Sequence, residues 1–100
     1  MLNIRTLQIL VEVARQGGFS RAAQTVHAVQ PTVSKAVQAV EDRLGVRIFE
    51  RANNGVRLTV EGEIVYRRAL NILQEFEALE ADVAILFHVL PDVGPVYTVS

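Results

Sequence analysis

The sequence predicts a mainly α-helical domain: three short helices, a small β-hairpin, then one long helix. Three observations predict it. Apolar residues recur at threes and fours in separate stretches, glycines punctuate those stretches, and one short β-prone segment surrounds Asn54-Gly55. One hundred residues, half of them hydrophobic, can bury one core and hardly a second, which argues against a two-domain enzyme.

The first helix spans Leu2 to Gln16, with Ile4, Leu7, Leu10, Val11 and Ala14 on one face. Gly17 and Gly18 end it, because glycine accepts the left-handed conformation of a helix C-cap. A second helix follows, with Ser20 as its expected cap and Ala22, Ala23 and Val26 as a small-residue face that lets another helix come close. His27 to Gln30 break the period. Pro31 suits the start of a third helix, where its missing N–H costs nothing. Val33, Val37, Val40 and Leu44 then form a core-facing stripe, leaving Thr32, Ser34, Lys35 and Gln38 turned elsewhere, and Gly45 ends the helix.

Val46 to Arg51 and Val56 to Leu58 read as two strands around a turn in which Asn-Gly supplies the positive φ. Thr59 is the expected cap of the last helix, and Glu61 and Glu63 complement its dipole. Val65, Ala69, Ile72, Phe76, Leu79, Val83 and Leu86 step by alternating fours and threes. That 3.5-residue period keeps a seam facing a partner helix, so these seven residues are the expected dimerisation stripe. Residues 87–100 hold two prolines, a glycine and no sustained period, and read as a hinge or truncated tail.

Charge is unevenly placed. Residues 1–58 carry eight basic and four acidic side chains, a net of +4, whereas residues 59–100 carry two basic and seven acidic, a net of −5. With no cysteine there is no disulfide framework, thiolate metal site or cysteine nucleophile. No apolar run reaches membrane-span length and the amino terminus lacks signal-peptide order, so a cytoplasmic protein is expected. His27 and His88 are far apart and accompany no carboxylate pair or phosphate loop. Neither enzyme activity nor a metal or cofactor is expected.

Three short helices, the third opened by Gln-Pro, then a basic hairpin, make the layout of a winged helix-turn-helix, whose later helix enters the major groove of DNA. Gln30, Thr32, Ser34 and Lys35 sit at the amino end of that helix, where side chains can bond base edges or phosphates, while Glu41 and Asp42 are confined to its far end. Arg47, Arg51 and Arg57 surround the hairpin and Arg21 opens the second helix, an arrangement suited to phosphate binding. The competing reading is a helical protein-interaction module whose 65–86 seam binds a partner without DNA.

The wording itself is distinctive. Gly18-Phe19-Ser20-Arg21-Ala22-Ala23, Gln30-Pro31-Thr32-Val33-Ser34, Val40-Glu41-Asp42-Arg43-Leu44-Gly45, Ile48-Phe49-Glu50-Arg51 and Leu58-Thr59-Val60-Glu61-Gly62 together resemble the amino-terminal domain of LysR-type transcriptional regulators, from about Ile4 to Leu86. A fainter resemblance is to the winged helix of molybdate-responsive regulators. The LysR resemblance implies a bacterial regulator with a DNA-binding domain at 1–58 and a linker helix at 59–86 that pairs two copies, leaving higher oligomers open. It implies sequence-specific binding to a pseudo-palindromic duplex and a small-molecule effector acting only through a domain absent from these residues. Gln30, Pro31, Ser34 and Lys35 are the implied groove readers, Ser20, Arg21 and Thr32 the backbone contacts, and Arg51 and Arg57 the wing. Three positions depart from the family pattern. Val29 replaces the serine or threonine that caps the recognition helix, a loss typically of about 1 kcal/mol. Val60 replaces a proline at the start of the linker helix, and Ala52 and Asn53 replace more polar or basic wing residues.

Overall fold

A capping box opens the chain. Asn3 Oδ1 accepts from the Thr6 amide at 2.8 Å while Thr6 Oγ1 accepts from the Asn3 amide at 3.0 Å. This starts the first helix later than Leu2, where the sequence places it. The computed structural model describes the backbone of residues 2–89 and the side chains of residues 2–85. In chain order come α1 (Ile4–Gln16), α2 (Phe19–Thr25), α3 (Gln30–Leu44), β1 (Phe49–Ala52), β2 (Gly55–Leu58) and α4 (Val60–Val89). The tail at 90–100 and the side chains of Leu86 and His88 lie outside the described residues.

Helix α1 is central because it is apolar on two sides. Leu10 and Val13 join Val33, Val37, Val40, Ile48 and Phe49 in the main core, with Ala22 and Ala23 giving α2 its close approach. Leu7 and Val11 turn instead to Ala69 of α4, with Tyr66, Leu70 and Leu73 beside them. Ile9 and Val13 are therefore buried although the one-face reading omits them. Phe19 meets Phe49 edge to face, ring centroids 6.1 Å apart, and pins the start of α2 against the hairpin. Leu44, expected in the valine stripe, is 43% exposed: it is the last residue of α3, and the chain turns away at Gly45 before anything covers it.

The strand expected from Val46 begins only at Phe49, because the backbone before it bonds elsewhere. The Ile48 N–H donates to the Glu41 carboxylate at 2.7 Å, and the Ile48 carbonyl accepts from the Thr59 N–H at 2.9 Å. Antiparallel pairing then runs from Phe49↔Leu58 to Ala52↔Gly55. The positive φ of the turn falls on Asn54 (φ 61), not on Gly55. Gly55 serves a different purpose. A Cβ there would stand 2.0 Å from the Gly17 carbonyl oxygen, which accepts the Val56 N–H at 2.9 Å and ties the hairpin to the α1–α2 corner.

Glu41→Ala leaves the Ile48 N–H without its acceptor. A loss of about 1–3 kcal/mol is expected in urea unfolding, visible as a lowered midpoint with the slope unchanged.

Thr59 caps α4 as expected, its Oγ1 accepting from the Gly62 N–H at 2.9 Å. Ser20 does not cap α2; the cap position is Gly18, with no side-chain bond. The 30 residues of α4 would reach about 45 Å at roughly 1.5 Å per residue, which accounts for the 55 Å long axis of the molecule.

Candidate nucleic-acid interface

Two faces of α3 divide cleanly. Val33, Val37 and Val40 are buried, whereas Gln30, Pro31, Thr32, Ser34 and Lys35 at the leading end are all exposed. A helical repeat of 3.6 residues enforces this: residues spaced by three and four share the inner face, and those between them point out. Val29 enters the helix in extended backbone (φ −86, ψ 153) and supplies no side-chain cap. Its carbonyl accepts from the Thr32 and Val33 amides at 3.0 and 3.3 Å, and Pro31 brings no donor, so most of the first turn is satisfied without a serine or threonine.

Ser20, at the second position of α2, donates its hydroxyl to Gln30 Oε1 at 2.9 Å, so one residue expected at the DNA backbone holds one expected at a base. Arg21 Nε donates to the Gln16 carbonyl at 3.0 Å. That bond sets the guanidinium in a notch of Gly17, Gly18 and Gly55, where added Cβ atoms would lie 3.7–3.9 Å from its Nη2. An open groove runs between this corner, α3 and the hairpin, and Ser20, Arg21, Gln30, Gln38, Arg47 and Arg51 line it.

Arg51 and Arg57 separate. Alternation along the strands puts Arg51 on the groove side with Phe49, while Arg57 lies across from Glu50 and pairs with it at 2.8 Å. Both partners are largely exposed, so that pair contributes little stability, but it neutralises the one wing arginine that turns from the groove. Among the described residues the other ion pair is Arg15–Glu12 at 3.8 Å, and neither pair involves Lys35, Arg47 or Arg51. The acidic residues of α3 are also turned to local use. Glu41 accepts from the Ile48 amide and Asp42 from Gln38 Nε2 at 2.9 Å, leaving the leading end with Lys35 as its formal charge. This polar and basic surface can meet phosphates and base edges.

Arg47, one of the hairpin arginines the sequence suits to phosphate binding, lines the groove, and Gln38 joins it although the sequence reading gave it no binding role. Gln38 lies four residues beyond Ser34, a spacing that keeps the two on one side of α3 and could have flagged it.

The expected stripe on α4 divides as well. Ala69 is 1% exposed against Leu7 and Val11, and Val65 packs against the main core, so these two are occupied within the chain. Ile72, Phe76, Leu79 and Val83 stand exposed along the overhanging rod. No helix among the described residues is long and apolar enough to cross a membrane.

Comparison with known proteins places the geometry in context. Residues 4–63 match the family described as bacterial regulatory helix-turn-helix protein, lysR family. The HTH-type transcriptional regulator PcaQ of Agrobacterium fabrum is 44% identical over 68 residues, which cover 68% of this chain and 22% of that regulator. The chain thus spans less than a quarter of that relative's length. Among solved structures, the CbnR DNA-binding domain in complex with DNA superposes with a TM-score of 0.74 at 32% identity, covering 83% of this chain and 94% of that one. The BenM DNA-binding domain bound to its catB site 1 DNA superposes at 0.82 with 26% identity, covering 87% and 97%.

Proposed function

Because the chain belongs to the lysR family of bacterial regulatory helix-turn-helix proteins, we propose that residues 1–58 bind duplex DNA with sequence specificity and that α4 pairs two copies of the chain on a pseudo-palindromic site. One observation carries this reading: at the leading end of α3, Gln30, Pro31, Thr32, Ser34 and Lys35 are exposed, no acidic side chain stands among them, and a buried valine ridge backs them. The DNA complexes of CbnR and BenM domains with the same fold support it.

In this reading Gln30, Pro31, Ser34 and Lys35 meet base edges, since glutamine bonds adenine or guanine acceptors, lysine reaches guanine, and proline packs on a thymine methyl. Thr32, Arg21 and Arg51 meet phosphates, with Arg47 added from the groove, while Arg57 stays paired with Glu50 on the far side of the wing. Two-fold pairing through Ile72, Phe76, Leu79 and Val83 would present two α3 helices about one helical turn of DNA apart, roughly 34–36 Å. The protein acts as a cytoplasmic regulator rather than an enzyme.

Mobility-shift titration of the 100-residue chain against salt tests the reading. Each phosphate neutralised contributes a slope of about −0.9 in log affinity against log salt, so binding is expected to fall steeply. Lys35→Gln is expected to weaken binding to the best site by about tenfold or to change its preferred bases. Salt-independent binding, or none, would instead favour an interaction module that uses the α4 face alone.

A further inference from the structure

Glutamine carries an acceptor and a donor on one carboxamide, and which of them a base meets depends on how that group is turned. Adenine requires both, the oxygen for its N6 amino group and the nitrogen for N7, whereas guanine offers two acceptors and thymine offers O4. In this chain the choice is restricted by a neighbour. Ser20 Oγ donates to Gln30 Oε1 at 2.9 Å, across ten residues of sequence.

Both ends of that bond are anchored. Gln30 is the first residue of α3, and the α2–α3 turn that sets its position is fixed by the Ala28 N–H to Ala23 carbonyl and Val26 N–H to Ala22 carbonyl bonds, each 2.9 Å. Ser20 lies too near the start of α2 to find a carbonyl of its own helix four residues back. Thr25 does find one, its hydroxyl donating to the Arg21 carbonyl at 3.1 Å. The serine hydroxyl therefore turns across the gap to the glutamine, drawing Oε1 towards α2 and leaving Nε2 as the outward group. Exclusion of water on DNA binding strengthens such a bond.

We propose that Ser20 is a specificity-determining positioning residue: through its bond to Gln30 it presents the amide donor to the DNA, so that Gln30 favours a base edge of acceptors alone, guanine or thymine, over adenine, whose N6 donor would be left without the carboxamide oxygen. This rests on the DNA-binding reading above. It assigns Ser20 a part in base choice, beyond the phosphate contact that the sequence implies for it.

Selection of bound duplexes from a random pool by the 100-residue chain and its Gln30→Ala, Ser20→Ala and Ser20→Thr variants tests the assignment. Gln30→Ala identifies the position read by Gln30, as the one whose preference flattens. There the unaltered chain is expected to favour guanine or thymine over adenine by about fivefold or more. Ser20→Ala frees Oε1 and is expected to bring adenine to parity or above, while Ser20→Thr, which keeps the hydroxyl, restores the original order. The proposal is overturned if Ser20→Ala lowers affinity on every duplex alike without changing base order, if the unaltered chain already prefers adenine there, or if Gln30→Ala flattens no position. A chain that enriches no sequence at all defeats the DNA-binding reading itself, a result distinct from those three.

Discussion

Gly62→Ala is expected to destabilise the domain by about 3 kcal/mol or more, a large share of the roughly 5–15 kcal/mol that holds such a fold. A Cβ at this position would stand 2.0 Å from the Ile48 carbonyl oxygen and 2.9 Å from its carbon. Backbone presses on backbone there, so no side chain can swing aside. The same carbonyl accepts the Thr59 N–H at 2.9 Å, and the Ile48 N–H is held by Glu41, so yielding would break the bonds that seat the hairpin and the start of α4. Gly45→Ala is the control. Gly45 has a left-handed backbone, φ 71, unlike the helical Gly62, but nothing lies within 4 Å of its added Cβ, so only the conformational cost of about 1 kcal/mol is expected. Urea unfolding followed by circular dichroism measures both. Equal midpoints for the two variants would contradict the close approach at Gly62.

Leu79→Glu is expected to separate the proposed dimer and to weaken binding to a two-half-site duplex by about 100-fold, while the head keeps its stability. Leu79 is 61% exposed, at the middle of the exposed series Ile72, Phe76, Leu79 and Val83, and touches neither core cluster. A carboxylate brought against its own copy would be buried without a partner. Losing the pairing converts one linked binding event into two independent ones, and the linkage is worth about 10²–10⁴ in affinity. Sedimentation and a mobility shift on the same preparation measure both effects. An unchanged dimer with unchanged affinity would place the pairing surface elsewhere.

The parts of this fold legible in the sequence are those set by local periodicity and by residues with one strong habit. Val33, Val37 and Val40 announce which side of α3 is buried, Gly17 and Gly45 stop their helices with φ of 71, and Thr59 caps α4. What escaped the sequence depends on neighbours distant along the chain. Ile9 and Val13 are buried because α1 is covered on two sides, which no single helical face records. Gly55 looks like a turn glycine next to an asparagine, yet it is small because the Gly17 carbonyl approaches it. The 3.5-residue stripe of α4 identifies an apolar seam but not what covers it, so Val65 and Ala69, packed on their own domain, read the same as Leu79 and Val83. At the candidate interface, the exposed leading end of α3 could be read directly. The bond of Ser20 to Gln30 and the pairing of Arg57 with Glu50 could not, since each joins residues brought together only by the fold.

In the proposed complex the exposed leading end of α3 enters the DNA groove while its valine ridge stays anchored in the core. Backbone amide chemical shifts of the isotope-labelled 100-residue chain, followed while its best duplex is added, test this most directly. The largest changes are expected at residues 30–35 and along the hairpin at 51–57, with the α4 amides between 72 and 83 little altered. Changes concentrated on α4, with residues 30–35 unmoved at saturation, would contradict it.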